Sequence, residues 1–166
     1  MRTLIPNALT ASRIAAAAFM LLVPETPLFW ALYAWSGISD MADGALARRL
    51  GTQSDLGARL DSLADLALVA ACAYSLLPSL PMPAWLVAWV AIIAFCKLAN
   101  YVSGAAMHGR LVMPHTPANK IAGLAIFLSI PAMAFTGDPL CAIPACVAAT
   151  FAAVQEGHLV RTGALA

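Results

Sequence analysis

The chain has 166 residues, 62% of them hydrophobic and 10% charged, with a mean hydropathy of +0.84. Soluble domains carry roughly 25% charged residues, so this composition excludes a water-soluble globular protein and describes an integral membrane one. Nine Lys and Arg against eight Asp and Glu give a net charge of +1, and no basic patch interleaved with aromatics is present to bind nucleic acid.

A membrane-crossing helix needs about 20 mostly apolar residues. The expected architecture is therefore all-α: one transmembrane domain over 1–166 with six spans and no extramembrane domain. The first span is expected over 7–23. Asn7, Thr10 and Arg13 interrupt its apolar run, which argues for an uncleaved helix rather than a signal peptide. Pro24 to Pro27 separate it from a second span over 28–50, and Gly51 to Ser54 separate that from a third over 54–78. Gly51 suits the position just past a helix C-terminus. Further spans are expected over 84–107, 118–135 and 139–157. Thr116-Pro117 reads as an N-cap followed by proline at the first helical position. Pro131 and Pro144 are expected to kink the last two spans. Cys72, Cys96, Cys141 and Cys146 all lie in apolar stretches and read as small buried hydrophobes.

With the N-terminus in the cytoplasm, all nine Lys and Arg fall at the cytoplasmic end or half of their spans. The three outer loops keep only Glu25 and Asp138. This positive-inside asymmetry predicts a multi-pass protein of the cell (inner) membrane with both termini cytoplasmic.

Half of the eight acidic residues lie between 40 and 65. On a helix turning 100° per residue, Asp40, Asp43, Gly44, Ala47 and Gly51 share one face of the second span, bordered by Arg48. Ser54, Gly57, Ala58, Asp61 and Asp65 share a face of the third, while Asp55 and Arg59 point elsewhere. A very short connection lets the two faces meet. Four converging carboxylates repel one another unless cations neutralise them, and all-oxygen ligation suits Mg²⁺, Mn²⁺ or Ca²⁺ rather than zinc. Arg48, beside them, can hold a phosphate. Small residues leave room for a substrate, although they also serve helix packing in membranes. Two metals, a phosphate-binding arginine and a cytoplasmic-facing pocket point to phosphoryl-type transfer on a lipid.

The pattern D-x2-D-G-x2-A-R-x8-G-x3-D-x3-D, carried by Asp40, Asp43, Gly44, Ala47, Arg48, Gly57, Asp61 and Asp65, resembles the signature of the CDP-alcohol phosphatidyltransferases. The opening Pro6-to-Arg13 segment is similar to the usual start of the family's first helix. The resemblance implies a six-helix membrane enzyme that transfers a phosphatidyl group from CDP-diacylglycerol to a hydroxyl acceptor and releases CMP. It implies two divalent cations, Mg²⁺ or Mn²⁺, on Asp40, Asp43, Asp61 and Asp65, with Asp65 also the general base. It places Pro6, Asn7, Thr10, Gly44, Ala47, Arg48, Ser54 and Gly57 at the CDP-lipid, and it implies a homodimer.

The acceptor is less marked. Lys97 and Asn100 share a face of the fourth span, and an intramembrane lysine is a functional candidate or else snorkels to the headgroups. With Arg110, His115 and Lys120 it can hold a phosphorylated polyol, glycerol 3-phosphate first, as in a phosphatidylglycerophosphate-synthase-like member. As positive-inside anchors the same cations need no ligand. Serine, inositol or another polyol remain open: Asp61-Ser62-Leu63-Ala64-Asp65 looks more like the serine-using members, without the F-G-V-A-P run they carry. Glu156 and His158 receive no role. A divalent-cation channel or carrier is the rival of another class. It is disfavoured because the outer halves of the spans lack a polar path.

Overall fold

The computed structural model describes the backbone of residues 4–50, 55–108 and 116–162, and within it the side chains of 8–41, 60, 63–106 and 116–162. Every regular element among them is helical: α1 (Leu4–Met20), α2 (Pro27–Leu50), α3 (Asp55–Leu76), α4 (Ala84–His108), α5 (Pro117–Thr136) and α6 (Ile143–Thr162), with a 3₁₀ turn at Pro139–Ala142 before α6. All six expected spans are helices, with the first starting earlier and the last ending later than expected.

Among the described residues, three stretches, Ala84–Ala106, Pro117–Thr136 and Pro139–Thr162, are long and apolar enough to cross a membrane, and Ala8–Met20 and Leu63–Leu76 are shorter apolar runs. The chain is a multi-pass membrane protein. The 24 residues of α2 extend roughly 36 Å, so length does not set it apart from the apolar three. Its second half carries Asp40, Asp43, Arg48 and Arg49, and that lowers its hydropathy.

The chain forms two compact units, Met1–Ser79 and Leu80–Ala166. In the first, α1 packs against both α2 and α3. Thr10, Arg13, Ala16, Ala17 and Met20 are its buried stripe, spaced three and four apart as one helical face requires. They meet Phe29, Tyr33, Ser36 and Ser39 of α2 and Ala64, Ala71, Cys72 and Leu76 of α3 in the buried interior. The serines fit because each satisfies its hydroxyl within its own helix, Ser36 on the Leu32 carbonyl at 2.9 Å and Ser39 on the Ser36 carbonyl at 3.1 Å. Thr26 caps α2, its Oγ1 accepting from the Phe29 N–H at 3.2 Å, with Pro27 at the first helical position.

In the second unit, α6 packs against α4 and α5. Ala118 and Ala122 of α5 face Ala149 and Ala152 of α6 in one buried cluster, small side chains that let two helices approach closely. Leu86, Met133, Ala142 and Cys146 form a second cluster. Thr116 is the N-cap of α5, its side chain accepting from the Asn119 N–H at 3.2 Å, and Gly137 ends the helix in the left-handed conformation at φ 68°. Pro144 is not the mid-span kink expected. It lies in the first turn of α6, where no intrahelical N–H is needed. Cys72 and Cys146 are buried, Cys141 is half-buried and Cys96 is exposed, so the reading of all four as buried hydrophobes holds for two.

Outward-facing Phe19, Leu22, Leu66, Phe95, Phe135 and Phe151 are each more than half exposed. A water-soluble surface rarely shows such a density of large apolar groups. In each unit, groups of this kind suit contact with lipid.

Candidate active site

Helix register decides where the aspartates fall. Asp40 lies about ten residues before the end of α2 and Asp65 about ten after the start of α3, roughly 15 Å along each helix from the connection between them. Asp40 and Asp65 therefore stand farther from the connection, with the backbone of Asp43 and Asp61 about one turn nearer it.

Asp40 and Asp65 meet on a residue of α1. Arg13, only 1% exposed, places Nη1 3.0 Å from Asp40 Oδ1 and donates from Nη2 to Asp65 Oδ1. Two nitrogens of one guanidinium thus join carboxylates from two different helices, a planar fork that a lysine cannot reproduce. The carboxylates themselves are open, 49% and 58% exposed. The arginine is the floor of this site and the acids are its rim. Thr10 is buried on the same face of α1, one turn before Arg13.

A divalent cation suits this arrangement on its donor chemistry. Asp40 and Asp65 offer hard oxygen ligands, and the guanidinium stands where their oxygens already converge on positive charge. No group of three His, Cys, Asp or Glu side chains comes together among the described residues, and the side chains of Asp43 and Asp61 lie outside them. So do the side chains of Pro6, Asn7, Ala47 and Arg48 and the surroundings of Gly44 and Gly57, all six on helical backbone, and the whole of Ser54, Arg110 and His115.

The second unit holds a separate polar cluster. Lys97 of α4 donates to Asn119 Oδ1 of α5 at 3.0 Å and to Glu156 Oε2 of α6 at 3.1 Å. Glu156 is 0% exposed and Lys97 27%, so the lysine expected to meet an acceptor has its charge matched within the protein. Asn119 is held in turn by the Thr116 cap. Asn100 spends its amide on the Ala153 carbonyl at 2.8 Å. It lines a groove of about 400 Å³ between α4 and α6 together with Thr150, His158 and Arg161. Lys120 is exposed on the first turn of α5.

Two residues were not singled out from sequence. Arg13 reads there as one more inward cation. The available signal was its place on the buried stripe of α1, where an arginine needs an acidic partner. Glu156 reads as a tail residue, yet it follows Ala149, Ala152 and Ala153 at helical spacing and precedes Val160 on the same buried face.

Among known protein families, the CDP-alcohol phosphatidyltransferases match residues 3–156. No solved structure matches the chain.

Proposed function

The chain belongs to the CDP-alcohol phosphatidyltransferase family, an enzyme of phospholipid biosynthesis, and from that premise we propose that it moves the phosphatidyl group of CDP-diacylglycerol onto a hydroxyl acceptor. The observation that carries this reading is the convergence of Asp40 and Asp65, from two helices, on a single buried cation.

We assign Asp40, Asp43, Asp61 and Asp65 as ligands of two divalent cations, Mg²⁺ or Mn²⁺. When bound, such ions offset charge on the phosphoryl oxygens and stabilise the acceptor oxygen as its proton leaves. Asp65 takes that proton, the acceptor oxygen bonds to the phosphatidyl phosphorus, and the bond from phosphorus to the CMP oxygen breaks. Arg48 holds the diphosphate by paired hydrogen bonds. Pro6, Asn7, Thr10, Gly44, Ala47, Ser54 and Gly57 shape the nucleotide-lipid site around it. The enzyme works as a homodimer in the cell (inner) membrane, with its site and both termini facing the cytoplasm.

For the acceptor, glycerol 3-phosphate is favoured by Lys97, Arg110 and Lys120, with Asn100 and His115 beside them in the sequence reading. A phosphate dianion in a region of low dielectric needs such cations to offset its lost hydration. A second reading, an uncharged or zwitterionic acceptor such as inositol or serine, is favoured by the Lys97–Glu156 pair, which removes one cation from that set.

Purified protein supplied with CDP-diacylglycerol and a panel of acceptors tests both, with CMP release and lipid product mass as readouts. A product with glycerol 3-phosphate alone supports the first reading; a product with serine or inositol alone supports the second. CMP release unchanged by chelator would overturn the metal assignment.

A further inference from the structure

The geometry points to Arg13 as the resident counter-ion of the carboxylate face, holding Asp40 and Asp65 together when no divalent cation is bound. Arg13 sits at 1% exposure. It therefore approaches the carboxylates from the protein side, while about half of each remains exposed. Without it, the two carboxylates would lose the cation they share and repel one another, pushing apart the helices that carry them. With it, each acid keeps one oxygen on a guanidinium nitrogen, and the face persists between rounds of metal binding.

The position of Arg13 on α1 gives this role a structural basis. α1 packs against both α2 and α3, so its central arginine reaches the two acids at once, Nη1 to one and Nη2 to the other. A lysine at 13 would bring one compact charge instead of a fork. It would hold either acid well but not both. The counter-ion is a positioning residue: it acts on Asp40 and Asp65 and is given no contact with substrate. Its relation to metal rests on the assignment of those two acids as ligands.

The test compares full-length wild type with Arg13→Gln, Arg13→Lys and the charge-balanced double variant Arg13→Gln/Asp65→Asn. Thermal unfolding is followed in detergent, with chelator or with Mn²⁺, and Mn²⁺ affinity is read by electron paramagnetic resonance. In chelator, Arg13→Gln should unfold roughly 5–10 °C below wild type, with Arg13→Lys in between. Mn²⁺ should return most of that loss, because the ion supplies the missing charge. The double variant should recover it with no metal at all, since one of the repelling acids is gone. Arg13→Gln should also bind Mn²⁺ more tightly than wild type, a competing positive charge having been removed.

Equal loss in Arg13→Gln and in the double variant, unrelieved by Mn²⁺, would overturn the inference and leave Arg13 a packing residue. Recovery in the double variant with no Mn²⁺ binding to any form, wild type included, would uphold the counter-ion and sink the metal reading of Asp40 and Asp65 instead.

Discussion

In the proposed reaction Asp65 takes the acceptor's proton, and in the structure the same carboxylate holds the Arg13 guanidinium. Its use as a base is helped when the acceptor hydroxyl is acidified at the same moment, as bound divalent cations would do. Replacing Asp65 with Asn keeps the shape and removes both the charge and the base. Turnover should fall by about 10²–10⁴-fold, the usual contribution of a positioned general base. Binding of CDP-diacylglycerol, measured separately with labelled lipid, should persist. Asp55→Asn is the control, at the first residue of α3 and off the acidic face. Near-normal turnover in Asp65→Asn would remove it from the base role. At this scale the convergence of Asp40 and Asp65 was legible because carboxylates are rare in the chain and these sit at helical spacing. Arg13 was not, because sequence spacing within one helix cannot show which acids on two others a cation will meet.

Between elements, the second unit is tied by polar groups as well as by alanine packing. Lys97, Asn119 and Glu156 join α4, α5 and α6. Removing one partner of a buried pair leaves an uncompensated charge and costs about 3–5 kcal/mol, whereas replacing both with apolar groups of similar size is often close to neutral. Lys97→Met and Glu156→Leu should each lower the unfolding temperature clearly, and the double variant should lie nearer wild type than either single one. Strictly additive losses would show that the pair does not act as a unit. Gly157 gives a second test. A Cβ there would stand 2.8 Å from Asn100 Oδ1, on a side chain anchored to the Ala153 carbonyl. Gly157→Ala should therefore destabilise by about 1–3 kcal/mol, the range for overpacking, and Asn100→Ala in the same chain should relieve part of it; equal unfolding temperatures for Gly157→Ala and wild type would remove the constraint. The start of α5 was legible from Thr116-Pro117, whose capping chemistry is local. The Thr26 cap of α2 and Gly137 at the end of α5 were seen only in the structure, and Gly51 lies outside the described residues. Pro144 was misread because the 3₁₀ turn at Pro139–Ala142 shifts the start of α6 and moves the proline into its first turn.

At the scale of the molecule, the six helices follow from turn residues, while among the described residues membrane crossing follows cleanly from hydropathy for three of them. Where charge is built into a helix, as in α2, hydropathy falls short, and the number of crossings rests on where the connections lie. Nine cations assigned to one side give a specific topology, and cysteine labelling decides it. The background should have Cys72, Cys96, Cys141 and Cys146 replaced, since Cys96 is exposed on α4 and would report on lipid access instead. Single cysteines at Thr52 and Gly109 should react with a membrane-impermeant maleimide only after the cytoplasmic side is opened. Those at Thr26 and Ser79 should react in intact cells. Thr26 precedes α2 and Ser79 follows α3, so reactivity of both from outside, with Thr52 reactive only from the cytoplasm, requires that α2 and α3 each cross once. If Gly109 labels only from outside, α4 does not return the chain to the cytoplasmic side. Arg110 and Lys120 would then lie across the membrane from the aspartates, and a phosphorylated acceptor would lose the cations that favour it.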